Sequence, residues 1–166
     1  MKILLLIVVV LIVGLIVFNQ FINRSIKMEI TIHSSPDKVW TVLMDHEKYP
    51  DWNPFIKKIS GSQQPGEKLS TTIGSEGNKP MDFSPLVLVN DKEKEFRWVG
   101  KVGISGIMDG EHYFLLESVG SGKTKFIQGE DFAGLLSGIV MLMIREDTEG
   151  GFKDMNDALK NRVENQ

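Results

Sequence analysis

The chain of 166 residues has no cysteine, which removes disulfide frameworks and thiol nucleophiles together. Its three histidines, at positions 33, 46 and 112, are scattered and show no H-x-x-x-H spacing, so no metal site is expected. Basic charge is not in excess. Lys and Arg number 19 against 22 Asp and Glu, net −3, and the chain lacks the electrostatic footprint that nucleic acid requires. No nucleophile stands with its base in a hydrolase-like motif. Val119-Gly120-Ser121-Gly122-Lys123-Thr124 imitates the end of a phosphate-binding loop, but Glu117 stands where that motif requires glycine. The run also lies between two strand patterns, so it reads as a hairpin turn. No cofactor is expected.

What the chain does have begins with an apolar run. Residues 3–18 are apolar or glycine without a break behind Lys2, and at about 1.5 Å each they reach roughly 24 Å. Phe21 and Ile22 extend the run toward the ~30 Å of a bilayer core, with Asn19, Gln20 and Arg24 near the far interface. A membrane span through residues 3–22 is therefore expected. The rival is a cleaved secretory signal, but the flank FNQFINRS contains no small-x-small site, which favours an uncleaved single-pass anchor over residues 1–24. Lys2 on one side and Arg24 and Lys27 on the other nearly balance, so the flanking charges assign no side of the membrane. Asn23-Arg24-Ser25 fits a glycosylation pattern but abuts the span and reads as chance. Residues 25–166 suffice for one domain with a core and not for two.

Within that domain Ile26, Met28, Ile30 and Ile32 alternate with Lys27, Glu29, Thr31 and His33, which predicts a half-buried strand over 26–33. Ser34 or Ser35 then caps a short helix opened by Pro36, with Val39, Trp40 and Leu43 on one face. Tyr49-Pro50 and Asn53-Pro54 break the backbone around a second turn that carries Tyr49 and Trp52. Strands over 55–61 and 67–75 flank the Pro65-Gly66 turn. Strands over 81–90 and 94–101 flank Asp91-Lys92-Glu93, with Pro85 marking an edge or a bulge. Gly100, Gly103 and Gly106 predict a loop that bends the sheet or gates a cavity.

The hairpin over 107–134 is the most informative. Centring its turn on Ser121 sets His112 opposite Glu130, Phe114 opposite Gln128 and Leu116 opposite Phe126, which places one polar trio on an apolar face. Leu135 to Ile144 reads as an apolar cover for the sheet, or as a segment dipping into the bilayer. After Arg145 a separate amphipathic helix presents Thr148, Gly151, Phe152, Met155, Leu159 and Val163. Gly151 on that stripe sacrifices about 1 kcal/mol of helix propensity against alanine, so a passing strand or a ligand must need the space.

The run S-P-x-x-V-W-x-x-L-x-D-x-x-x-Y-P-x-W-N-P over residues 35–54 resembles the SRPBCC superfamily, in particular its polyketide cyclase/dehydrase-like and START-like members. W-V-G-K at 98–101, G-E-H-Y-F at 110–114 and Q-G-E-D-F-A-G at 128–134 resemble its later strands, and the likeness spans residues 26–164. It implies an α+β helix-grip fold: a curved antiparallel sheet of about six to seven strands around a long C-terminal helix, with two short helices after the first strand. It also implies a hydrophobic cavity between sheet and helix. Ligand-binding candidates are then Trp40, Trp52, Phe83, Trp98, His112, Phe114, Phe126, Gln128, Glu130, Gly151, Phe152 and Met155, with Trp40, Tyr49 and Trp52 as a lid at one end. The function expected is a membrane-anchored binding module for a hydrophobic small molecule: a lipid, a quinone or a polyketide-like compound. One alternative is a cyclase or dehydratase moving a proton through His112 and Glu130. Another is a ligand-free domain that activates a protein partner.

Overall fold

The computed structural model describes residues 2–75 and 77–165. Strand β1, Ser25–Ile32, follows the alternation of its side chains, with Ile26 and Ile32 buried at its two ends. Pro36 then opens helix α2, Pro36–Met44, which buries Val39, Trp40, Val42 and Leu43. A single 3-10 turn, His46–Lys48, leads into the short helix α3, Tyr49–Trp52. Two side chains hold this stretch in place. The Tyr49 hydroxyl donates to the Leu43 carbonyl at 2.7 Å. Asn53 Oδ1 accepts from the backbone N–H groups of Phe55 and Ile56 at 3.0 and 2.8 Å.

The remaining strands are β2 (Ile56–Gly61), β3 (Leu69–Ile73), β4 (Met81–Phe83), β5 (Leu86–Asp91), β6 (Glu95–Lys101), β7 (Asp109–Ser118) and β8 (Thr124–Ala133). They form a five-stranded antiparallel sheet in the order β1-β8-β7-β6-β5 and a three-stranded sheet in the order β2-β3-β4. The β7–β8 register pairs His112 with Glu130, Phe114 with Gln128 and Leu116 with Phe126, as the turn at Ser121 predicts.

Two expectations are corrected. The run over 81–90 is not one strand: it divides at Ser84-Pro85, so that β4 pairs with β3 in one sheet and β5 with β6 in the other. Proline has no N–H to continue a ladder, but its carbonyl accepts from Leu69 N at 2.9 Å, and a bridge between Lys68 and Leu86 joins the two sheets at this corner. The segment Leu135 to Ile144 is not a separate cover either. Helix α4 runs unbroken over Ser137–Glu164, because no breaker stands between its apolar start and its amphipathic continuation.

Helix α4 packs against β1, β8 and α2, burying Phe152, Met155 and Leu159 completely. With Phe96, Phe114 and Phe126 from the sheet they make the centre of the core. At Gly151 the helix has no side chain because Phe55 fills the position: a β-carbon there would overlap the Phe55 ring. The N-terminal helix α1, Lys2–Phe21, exposes nearly all its apolar side chains and buries only Asn19.

Candidate functional site

Beyond Phe55 the grip between sheet and α4 opens into a cavity of about 520 Å³. One wall is helical: Leu136, Val140, Ile144 and Thr148 recur every four residues along the first half of α4 and the residue before it. The opposite wall is Thr71, Ile73, Met81 and Phe83 from β3 and β4. The floor is Trp98, Glu130 and Phe132 from β6 and β8, and the loop carrying Val102, Ile107 and Met108 closes one side. Gly100 and Gly110 pair across β6 and β7 and both reach the cavity, so the sheet is bare there. Side chains at that pair would fill the space; a β-carbon on Gly110 would strike the Glu130 carboxylate.

The lining is mostly apolar, with few polar groups. Glu130 presents a carboxylate that is one-fifth exposed, and His112 stands behind it with Nδ1 3.7 Å from Glu130 Oε2. The imidazole is buried and stacks flat on Trp98, ring centroids 4.4 Å apart at 8°. Its Nε2 lies 3.3 Å from the side-chain nitrogen of Gln128, which donates to it and also reaches Met155 Sδ at 3.5 Å. With the Gln128 amide nitrogen as donor, Nε2 is the acceptor and the neutral ring carries its proton on Nδ1, the side of Glu130. Thr71 places a hydroxyl on the wall facing the helix that is buried and has no hydrogen-bond partner among the described residues. Among the described residues no cluster of His, Asp and Glu is arranged to hold a metal ion.

Of the residues singled out from the sequence, Phe83, Trp98 and Glu130 line this cavity. His112 and Gln128 form the layer behind Trp98 and Glu130. Phe114, Phe126, Phe152 and Met155 are packed within the core cluster, and Gly151 faces Phe55. Trp40 and Tyr49 belong to the buried scaffold of α2 and α3, with Trp52 half-buried beside Tyr49, and none of the three borders the cavity. Sequence reasoning missed Phe55, Thr71, Ile73, Val140 and Ile144. The four-residue recurrence from Leu136 to Thr148 was a readable signal for the helical wall, and the facing Gly100–Gly110 pair for the void.

The second polar depression, between Met44 and Gln63, is different in kind. Its His46 is pushed down to about 4 by burial, against the opposing charge of Asp45. Its Nδ1 lies 3.2 Å from the Gln63 side-chain nitrogen. This is a neutral histidine inside the scaffold, held through Nδ1, with Nε2 buried and without a hydrogen-bond partner among the described residues.

Residues 23–164 match the family described as polyketide cyclase / dehydrase and lipid transport. The chain belongs to this family. Its place in the SRPBCC superfamily agrees with the solved structures that share its fold. The Zhui aromatase/cyclase from Streptomyces sp. R1128 is 15% identical, with 85% of this chain and 93% of that one covered at a TM-score of 0.67. A START superfamily protein from Mycobacterium smegmatis is 18% identical, with 86% and 99% covered at 0.66. Norcoclaurine synthase from Thalictrum flavum, in complex with dopamine and hydroxybenzaldehyde, is 18% identical, with 86% and 87% covered at 0.65. No curated protein matches the chain at a significant level. At such identities the family members share the helix-grip fold, and function has to be argued from the site.

Proposed function

We propose that this family member is a membrane-anchored binding module whose cavity holds one hydrophobic small molecule of lipid, quinone or polyketide type. The observation that carries the proposal is the cavity: about 520 Å³, within the range of small-molecule sites and apolar on most of its surface, with the Thr71 hydroxyl on one wall and the Glu130 carboxylate on the floor among its polar groups. The partnerless Thr71 hydroxyl can donate or accept, and the Glu130 carboxylate accepts. A ligand with an apolar body, a hydroxyl or phenol donating to Glu130 and a second polar atom at Thr71 satisfies both. Helix α1 supports the membrane part of the reading, since its 20 residues, with an 18-residue stretch at a mean hydropathy of 3.0, suffice to cross a bilayer.

Trp98 on the cavity floor provides the test. In the full chain carrying Trp40→Phe and Trp52→Phe, a brominated fatty acid entering the cavity quenches Trp98 by contact, and the quenching saturates. Adding Val140→Phe and Ile144→Phe, which place rings in the cavity, should remove the saturable component. Quenching that never saturates, or that survives the filled cavity, contradicts the proposal.

The second reading is an enzyme of the cyclase or dehydratase type. Its favouring observation is the Glu130 carboxylate backed by an oriented imidazole at 3.7 Å. In such an enzyme Glu130 exchanges the proton with the ligand and His112 positions it, because only Glu130 borders the cavity.

A further inference from the structure

Helix α4 begins without a cap of its own. Its N-cap residue is Leu136, which offers no side-chain acceptor to the free N–H groups of the first turn. The acceptor comes from the other end of the chain. Asn19 Oδ1 accepts from Gly138 N at 2.9 Å, while Asn19 Nδ2 donates to the carbonyls of Gly134 and Leu135 at 3.2 and 3.0 Å. Asn19 is the only buried residue of α1, and Gly138 is glycine where a β-carbon would collide with its amide oxygen. The connection from α1 to β1 is tied down as well. Arg24 donates to Ser137 Oγ at 3.3 Å, the Arg24 carbonyl accepts from Phe132 N at 2.8 Å, and Arg145 donates to the carbonyls of Asn23 and Ser25. The apolar helix is therefore clasped to the domain and does not hang from a flexible tether.

The clasp fixes what lies beside it. On a helical wheel of about 100° per residue, Gly138 and Arg145 face α1, and Leu136, Val140 and Ile144 face the cavity. Ile139, Leu142 and Met143 fill the arc between these two sides and point to solvent, Met143 with 76% exposure. The loop whose Gly106 and Ile107 carbonyls accept from Leu135 N and Leu136 N at the start of α4 adds Val102, Ile107 and Ile104, the last 78% exposed. Asn19 lies in the last turn of a 20-residue span, so Gly138 sits at the depth where that span leaves the hydrocarbon. Met143 follows five residues on, about 8 Å along the helix, which is within the headgroup zone.

From this placement, and resting on the anchor reading of α1 above, we infer that the Asn19 clasp turns the anchor into a rigid strut that presses one apolar lip into the bilayer surface. The lip is Ile104 and Ile107 of the loop with Ile139, Leu142 and Met143 of α4. Its occupant is lipid, and the cavity mouth that the lip borders opens to the membrane in preference to water. A hydrophobic ligand can then pass between bilayer and cavity without crossing the aqueous phase, and the domain samples only one orientation over the membrane.

Because the chain has no cysteine, single labels can be placed at will. Ile104→Cys, Met143→Cys and, as a reference at the distant β5–β6 tip, Lys92→Cys are each labelled with a polarity-sensitive dye. The full chain is then reconstituted into vesicles of phosphatidylcholine and phosphatidylglycerol. The inference predicts blue-shifted emission and quenching by headgroup-region nitroxide lipids at 104 and 143, and neither at 92. If the chain floats with the vesicles and both lip labels read water, the inference is wrong and the anchor stands. If they are shielded but not quenched by lipid, another protein surface or a second copy covers the lip, which also overturns it. If the chain does not float with the vesicles, the anchor reading itself fails. The clasp has its own test in Asn19→Leu, which keeps the span apolar, and in Gly138→Ala, which displaces the Asn19 amide while improving helix propensity. Both should keep flotation and lose the lipid quenching at 143; unchanged quenching in both refutes the strut.

Discussion

Replacing Gly151 with alanine sets two effects against each other, and the structure decides the sign. In an exposed helix the change gains about 1 kcal/mol of propensity. Here the new methyl group overlaps the ring of Phe55, which is buried and packs edge-on against Phe152 at 5.5 Å and 80°. Overpacking of this kind costs about 1–3 kcal/mol, and disturbing the aromatic pair adds about 0.5–1.5 kcal/mol. Gly151→Ala should therefore destabilise the protein by about 0.5–3.5 kcal/mol net. Phe55 also borders the cavity, so a displaced ring shrinks the ligand space. The assay is urea unfolding of the full chain in lipid nanodiscs, followed by tryptophan fluorescence, as a cycle with Phe55→Leu. The two sites should couple by about 1 kcal/mol or more, the alanine being tolerated once the ring is gone. A Gly151→Ala protein that is more stable than the wild type, with no coupling to Phe55, would refute the reasoning.

Three further outcomes are expected. His46 titrates near 4 when folded against an ordinary 6.5, so the unfolded chain takes up the proton first. The stability it contributes is complete above that ordinary value and falls by about 1.4 kcal/mol per pH unit on the way down to the folded value, about 3 kcal/mol in all. Subtracting the same unfolding series for His46→Gln isolates this slope from the carboxylates, and two parallel series would contradict it. Asn53→Ala leaves the buried N–H groups of Phe55 and Ile56 without their acceptor. It should cost about 1–3 kcal/mol for each, read as a lowered urea midpoint at unchanged slope. Glu130→Gln keeps the size of the cavity wall but removes the base. It should leave Trp98 quenching by the apolar probe saturable, and any turnover the protein shows should disappear; turnover that survives excludes Glu130 as the proton carrier.

Much of the fold was legible because the relevant signals are local. The alternation from Ile26 to Ile32, Pro36 at a helix start and the turn at Ser121 each involve neighbours in sequence, and the turn alone sets the pairing of His112 with Glu130. The division at Pro85 was half legible: proline announced a break but not that its two sides enter different sheets, which depends on the distant Lys68 and Leu69. The site was harder. Period-two alternation places a residue on the inner face of the sheet but does not say whether α4 covers it there, so Phe114 and Phe126 looked like Phe83 and Trp98 from sequence alone. The helix covers the first pair, and the cavity remains over the second. Gly151 correctly signalled a close approach, but the occupant is Phe55. Asn19 gave no signal at all, because the helix end it caps lies more than a hundred residues away.

The central claim is that the cavity holds an apolar molecule, and one comparison tests it directly. The full chain and its Val140→Phe/Ile144→Phe variant are purified from the same cells into identical nanodiscs and analysed by native mass spectrometry. The account predicts one additional small apolar molecule on the wild-type chain, released on unfolding and absent from the filled variant. A wild-type chain that is empty, or a molecule retained equally by both proteins, contradicts it.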